Sequence, residues 1–127
     1  MQAADVASTV RAMRPFVPTK DFKVSQRFYA DLGFQVEELG PELALVSIGE
    51  HSLLLQDYFV PQWAANFMMH LLVTDLAGWW DRIAALDLPK LYGVPEPKPP
   101  RLESWGLNVA YVIDPSGVLW HFAERPS

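Results

Sequence analysis

Two stretches of this chain follow one plan. The first runs Val17-Pro18-Thr19-Lys20-Asp21-Phe22 and then Phe28-Tyr29-Ala30-Asp31-Leu32-Gly33-Phe34. The second runs Leu72-Val73-Thr74-Asp75-Leu76 and then Trp79-Trp80-Asp81-Arg82-Ile83-Ala84-Ala85-Leu86. Each is an apolar strand-like run, an Asp suited to cap a helix, and a helix with one apolar stripe. A repeat of this size implies two similar units, neither able to bury a sheet face alone. It points to a curved sheet of two units with a cleft, and places function on the cleft wall.

The 127 residues suit one domain, and 50% apolar content is enough for a core. Residues 1–13 read as an extension, a short helix or arm. Residues 14–127 read as a single domain of two units, about 14–57 and 67–124. The net charge of −5 disfavours nucleic acid, because phosphate binding needs clustered Lys and Arg. Cysteine is absent, which removes thiol nucleophiles, disulfides and thiolate metal sites and is compatible with a reducing cytoplasm. No apolar run is long enough to span a bilayer, and the first residues lack the pattern of a secretory signal.

Arg14 to Pro18 reads as a short strand whose two prolines suit an edge or interface. Asp21 caps a helix with Val24, Phe28 and Leu32 on its buried stripe, and Gly33 ends it. Phe34 to Leu39, Leu43 to Ile48 and Ser52 to Gln56 follow as strands. Tyr58 to Asn66 reads as a linker. The second unit opens with strand Phe67 to Val73. A helix capped by Asp75 comes next, with Leu76, Trp79, Trp80, Ile83 and Leu86 as its stripe and Pro89 as its stop. Tyr92 to Ser104 is proline-rich and reads as an extended loop of reduced chain entropy. Leu107 to Ile113 and Val118 to Ala123 form a last hairpin around Asp114-Pro115-Ser116-Gly117.

Glycine loops for nucleotide phosphates and serine-hydrolase elbows are missing. His51 lies at a hairpin turn and reads as solvated. His70 and His121 fall in strands of the second unit. Each is either a structural histidine or, taken as a pair, part of a two-histidine, one-carboxylate metal set.

The phrases Asp21-Phe22 with Phe28-Tyr29, Leu32-Gly33-Phe34, His70-Leu71-Leu72-Val73-Thr74-Asp75-Leu76, and Asp114-Pro115-Ser116-Gly117 resemble the vicinal oxygen chelate superfamily. That group holds glyoxalase I, extradiol dioxygenases, fosfomycin-modifying enzymes and bleomycin resistance proteins. The resemblance covers about residues 14–124. It implies an α+β fold of two βαβββ modules forming a curved, incomplete barrel around a cleft. It also implies four pocket-facing positions that hold metal in the enzymes, which fall here on Arg14, Met68, His121 and a place near Leu54, with Gln56 its nearest polar neighbour. Arg14 cannot deprotonate to bind a cation, and Met68 is a soft donor. No pocket carboxylate stands out, so no catalytic residue, metal ligand or cofactor is assigned.

The tail from Ser104-Trp105-Gly106 through Asp114-Pro115-Ser116-Gly117 to Trp120-His121-Phe122-Ala123-Glu124 is most similar to bleomycin resistance proteins. So is Arg14-Pro15-Phe16, where their proline accompanies strand exchange between subunits. That likeness implies metal-free sequestration of a drug in crevices of a homodimer, with Arg14 to Pro18 at or across the interface.

Strand parity proposes the lining. Met68, His70 and Leu72 share a face, as do Leu119, His121 and Ala123. A simple turn at 114–117 sets Val112 opposite Leu119 and Ala110 opposite His121, which brings Asn108 and Val112 to the cleft. Trp120 and Phe122 point to the helices. Trp105 and Trp63 either pin their loops or cover a planar ligand, and with Tyr92 and Phe16 they suit flat aromatic molecules. Arg14 either anchors an acid group or pairs with a carboxylate such as Glu124, the second being preferred. The candidate ligand-binding set is Arg14, Phe16, Gln56, Trp63, Met68, His70, Trp105, Asn108 and His121.

The expected function is non-enzymatic: capture of an aromatic small molecule or peptide antibiotic, for self-protection or drug resistance, by a cytoplasmic homodimer. Neither nucleic acid nor membrane is an expected partner. The rivals are a metal-dependent lyase, isomerase or dioxygenase of the same superfamily using His70 and His121, and a small-molecule sensor or accessory protein.

Overall fold

The computed structural model describes residues 3–127. In chain order the elements are α1 (Ala3–Ser8), β1 (Phe16–Pro18), α2 (Phe22–Leu32), β2 (Gln35–Gly40), β3 (Leu43–Ile48), β4 (His51–Gln56), α3 (Pro61–Asn66), β5 (Met68–Leu72), α4 (Leu76–Leu86), α5 (Leu88–Tyr92), β6 (Lys98–Leu102), β7 (Asn108–Ile113) and β8 (Leu119–Glu124). Two open four-stranded sheets result, ordered β1-β4-β3-β2 and β5-β8-β7-β6. In each, the first strand runs parallel to the last and the remaining pairs are antiparallel. The repeat seen in the sequence is therefore a repeat of βαβββ topology.

The local chemistry explains both principal helices. Asp21 accepts from the Val24 N–H at 3.2 Å, and Asp75 accepts from the Gly78 N–H at 3.0 Å. Gly33 closes α2 at φ 113°, a conformation that costs a residue with a Cβ. Glu124 completes the start of α4 by accepting from the Leu76 N–H at 2.6 Å. The α2 stripe holds Phe22, Phe28, Tyr29 and Leu32, with Val24 half-buried, and α4 buries Leu76 and Ile83 with Trp79 and Trp80 packed beside them.

Each helix covers one face of its own sheet, and one apolar cluster runs through both units. Trp120 and Phe122 belong to it, as their parity indicates. Where the units meet, the Tyr29 hydroxyl donates to Asp114 Oδ2 at 2.5 Å and accepts from Trp120 Nε1 at 2.9 Å. Ser116 Oγ accepts the Lys20 N–H at 2.8 Å and lies 3.3 Å from Ser25 Oγ. Burial, and then the Asp114 charge, pushes the Tyr29 hydroxyl well above its ordinary pKa, so it remains a donor.

The first strand is shorter than the sequence reading, Phe16–Pro18 where Arg14–Pro18 is expected, and three further differences go beyond a residue at an element's end. The Tyr58–Asn66 linker contains α3, started by Pro61 in the first turn. The α4 helix stops at Leu86, ahead of Pro89, because Asp87 turns left-handed at φ 54°, and Pro89 instead opens α5. The supposed loop from Tyr92 to Ser104 contains strand β6, which tolerates Pro99 and Pro100 because it is an edge.

Tyr29→Phe leaves the Trp120 N–H and one Asp114 oxygen without partners in a dry environment. The expected loss is about 1–3 kcal/mol of unfolding free energy. Urea denaturation followed by tryptophan fluorescence measures it. An exposed control, Lys23→Ala, should change stability by less than about 1 kcal/mol.

Candidate functional site

The face of the second sheet that carries His70 and His121 is built by alternation along three strands, open over Met68, Tyr111, Ile113, Leu119 and His121 and closed at Val109 and Ala123. Register aligns Met68 with Leu119, His70 with His121 and Leu72 with Ala123 across β5 and β8. It aligns Ile113 with Leu119, Tyr111 with His121 and Val109 with Ala123 across β7 and β8. Met68 and Leu72 remain 62% and 41% exposed.

His121 is the centre of an aromatic group on this face. Its ring meets Tyr111 edge-on at 4.9 Å between centroids and His70 at 6.1 Å. Trp105, from the loop after β6, lies nearly parallel to it at 6.4 Å and 28°. Gly106 beside it takes φ 95°, which lets the loop turn there. The indole is 55% exposed, so much of its surface is free. Burial, then the neighbouring His70, holds the His121 pKa below its ordinary value, with Glu103 pulling the other way. Burial, then Glu103, raises the Tyr111 hydroxyl.

Beside this group opens a groove of about 770 Å³, a size that suits a drug-like molecule. Tyr111, Ile113 and Leu119 line it together with Pro95, Pro99 and Pro100. Glu96, Lys98 and Arg101 supply its charges, and Arg101 Nε donates to Glu103 Oε1 at 2.9 Å.

The candidate residues separate into groups. Met68, His70 and His121 share the uncovered face, and Trp105 stacks on it. Phe16, Gln56 and Trp63 line a different hollow of about 420 Å³ with Pro18, Asn66 and Phe67, and Trp63 touches Tyr58 at 5.9 Å. Arg14 does not reach Glu124, which is engaged by Leu76; its Nε donates to Ser52 Oγ at 2.6 Å. Asn108 is misplaced in the sequence reading. It pairs with Glu124 and shares the parity of Ala110 and Val112, which are buried in the core. The cause is the loop between β7 and β8. Asp114 Oδ1 accepts from both Ser116 and Val118 N–H groups, which draws Val118 into the loop and pairs Ile113 with Leu119. One additional loop residue exchanges the two faces of β7. Tyr92 also lies elsewhere, with its ring against Phe28 at 5.3 Å and its hydroxyl donating to Asp31.

Sequence reasoning missed Tyr111, Ile113 and the proline wall. Counting a five-residue loop would have found the first two. The wall has no comparable sequence signal, because the prolines obscure the strand that carries them.

The four positions that the resemblance equates with a metal site do not form a donor set here. Arg14 is cationic and hydrogen-bonded to Ser52, Met68 offers a thioether, and Leu54 offers nothing. Among the described residues no three of His, Cys, Asp and Glu converge on a common point. The residues present do not fit a catalytic metal of that superfamily.

Residues 9–122 match the family model of the Glyoxalase/Bleomycin resistance protein/Dioxygenase superfamily, and the chain belongs to that family. No curated protein sequence matches it. A solved bleomycin-binding protein in complex with bleomycin is similar, with TM-score 0.78 and 24% identity over 92% of this chain and 100% of that one. TnmS3, an antibiotic-binding protein from a Streptomyces species, gives TM-score 0.71 and 20% identity over 93% and 98%. A lactoylglutathione lyase from Agrobacterium tumefaciens gives TM-score 0.66 and 20% identity over 91% and 94%. Binders and an enzyme thus share this fold, and the site must distinguish them.

The lowered His121 pKa has a stability consequence. The unfolded chain takes up a proton more readily at this residue than the folded one does. Its contribution is therefore complete above a pH of about 6.5 and is lost as pH falls through the lower folded value. His121→Gln should flatten the fall in stability between about pH 7 and pH 5, measured by urea denaturation at each pH.

Proposed function

We propose that this protein captures a planar aromatic small molecule, an antibiotic or related metabolite, and releases it chemically unchanged. The observation that carries the reading is the open aromatic group of Trp105, His121 and Tyr111 beside a groove walled by proline. His121 and Tyr111 on the strands and Trp105 on the adjoining loop are rings with few rotatable bonds, which supply stacking area with little entropy to lose. Met68, Leu119 and Ile113 add apolar surface, and a neutral His121 removes the charge that would oppose burial of a ring. The fold shared with a bleomycin-binding protein and with TnmS3 supports the same reading. Roles in ligand contact are proposed for Met68, His70, Trp105 and His121, with Phe16, Gln56 and Trp63 lining the second hollow. In this reading Arg14 positions its segment through Ser52.

The proposal includes a homodimer in the cytoplasm. Strands β1 and β5 are each paired on one side only, and Phe16 and Trp63 nearby are 55% and 60% exposed. Apolar surface and an open strand edge together suit association with a second copy. Sedimentation should give a mass near twice 14.4 kDa.

Titration of tryptophan fluorescence with neutral planar polycyclic aromatic drugs tests capture. Saturable quenching is expected, and Trp105→Ala should weaken it by about tenfold, equivalent to about 1.4 kcal/mol of stacking. Mass spectrometry should recover the ligand intact after long incubation. Stoichiometric retention of a divalent ion, with turnover lost on chelation, would replace this reading with the enzyme.

A further inference from the structure

The groove beside the aromatic group has a charge arrangement unlike that of the chain as a whole. The protein carries −5. Strand β6 nevertheless presents two cations to the groove, Lys98 and Arg101. Register sets Lys98 directly opposite Tyr111 and Arg101 opposite Val109, both on the face that carries His121. Among the described residues Lys98 has no carboxylate within 4.0 Å. Arg101 uses only Nε on Glu103, and its two terminal nitrogens make no hydrogen bond among those residues. A guanidinium held through Nε keeps an oriented pair of donors for a second acceptor. Glu96 lines the groove ahead of the strand, and Glu103, bonded to Arg101 and close enough to act on Tyr111 and His121, offsets part of the Arg101 charge, which leaves Lys98 as the cation without a carboxylate partner.

Resting on the capture reading above, we propose that the ligand class is a planar aromatic acid. Its ring system lies over Tyr111, Ile113 and Leu119, between the prolines, and its anionic group meets Lys98 Nζ and the Arg101 terminal nitrogens. Apolar rings supply most of the affinity, and the two cations select the sign of the substituent. A ligand bearing a cation at that place would face the Lys98 ammonium across the groove, and the two cations of β6 would act against it.

The test uses three probes that share one ring: anthracene-2-carboxylate, 2-(hydroxymethyl)anthracene and 2-(aminomethyl)anthracene. Each is titrated into the full chain at low salt, with anthracene emission and tryptophan quenching as readouts. The carboxylate is expected to bind about fivefold more tightly than the alcohol, and the amine more weakly than either. Lys98→Glu, at an exposed strand position, should abolish or reverse that order. Lys23→Glu in the first unit changes net charge equally and should preserve it. Equal affinity for all three probes, or an order unaltered by Lys98→Glu, overturns the proposal while leaving capture of planar rings intact. Failure of even the neutral alcohol to bind overturns both.

Discussion

Asp114 holds the two halves of this molecule in relation to each other. One of its oxygens accepts the Tyr29 hydroxyl from the first unit, and the other accepts two backbone N–H groups of its own loop. The Tyr29 hydroxyl in turn accepts from Trp120, at the middle of the common core. Burial raises the Asp114 pKa, and the hydrogen bonds to it act in the opposite direction. A buried carboxyl of this kind is tolerable only with its partners in place. No buried side-chain polar atom is left without a partner among the described residues. The junction is thus demanding in geometry, which is why it can fix one arrangement of two similar units.

The same residue also decides what the uncovered face displays. By drawing Val118 into the loop, Asp114 pairs Ile113 with Leu119 and Tyr111 with His121. A shorter loop would turn Tyr111 into the core and bring Val112 out. The floor of the groove therefore depends on an interaction on the opposite side of the sheet. Glu124 adds a second link of this kind, since it ends β8 while capping α4, and so ties the strand bearing His121 to the helix behind it.

The sequence and the structure agree where a short-range rule operates without competition. The helix caps at Asp21 and Asp75, the stop at Gly33 and the inward parity of Trp120 and Phe122 all follow from spacing and residue type. The paired modules followed from the repeat. The failures share another cause. Strand β6 was hidden because Pro99 and Pro100 argue against a strand unless it is known to be an edge, which is a tertiary fact. The face of Asn108 depended on one side-chain acceptor in a loop, and local patterns do not count loop residues. Residue type alone groups Tyr92 and Trp63 with Trp105, yet Tyr92 packs on Phe28 and Trp63 on Tyr58. Aromatic residues far apart in sequence carry no signal of which of them meet.

The prolines that obscured β6 also explain how an edge strand can serve a binding groove. An exposed edge offers unpaired backbone groups to any other strand, and proline removes donors from that row. The same rings restrict the unbound segment, so less conformational entropy is lost when a ligand settles against it. Lys98 and Arg101 flank Pro99-Pro100, and the irregularity in β6–β7 pairing falls between those two residues. Three positions from Lys98 to Arg101 thus match two from Tyr111 to Val109, which keeps both cations on the face that holds the aromatic rings. Protection of the edge, stiffness of the wall and placement of the charges are consequences of one four-residue run.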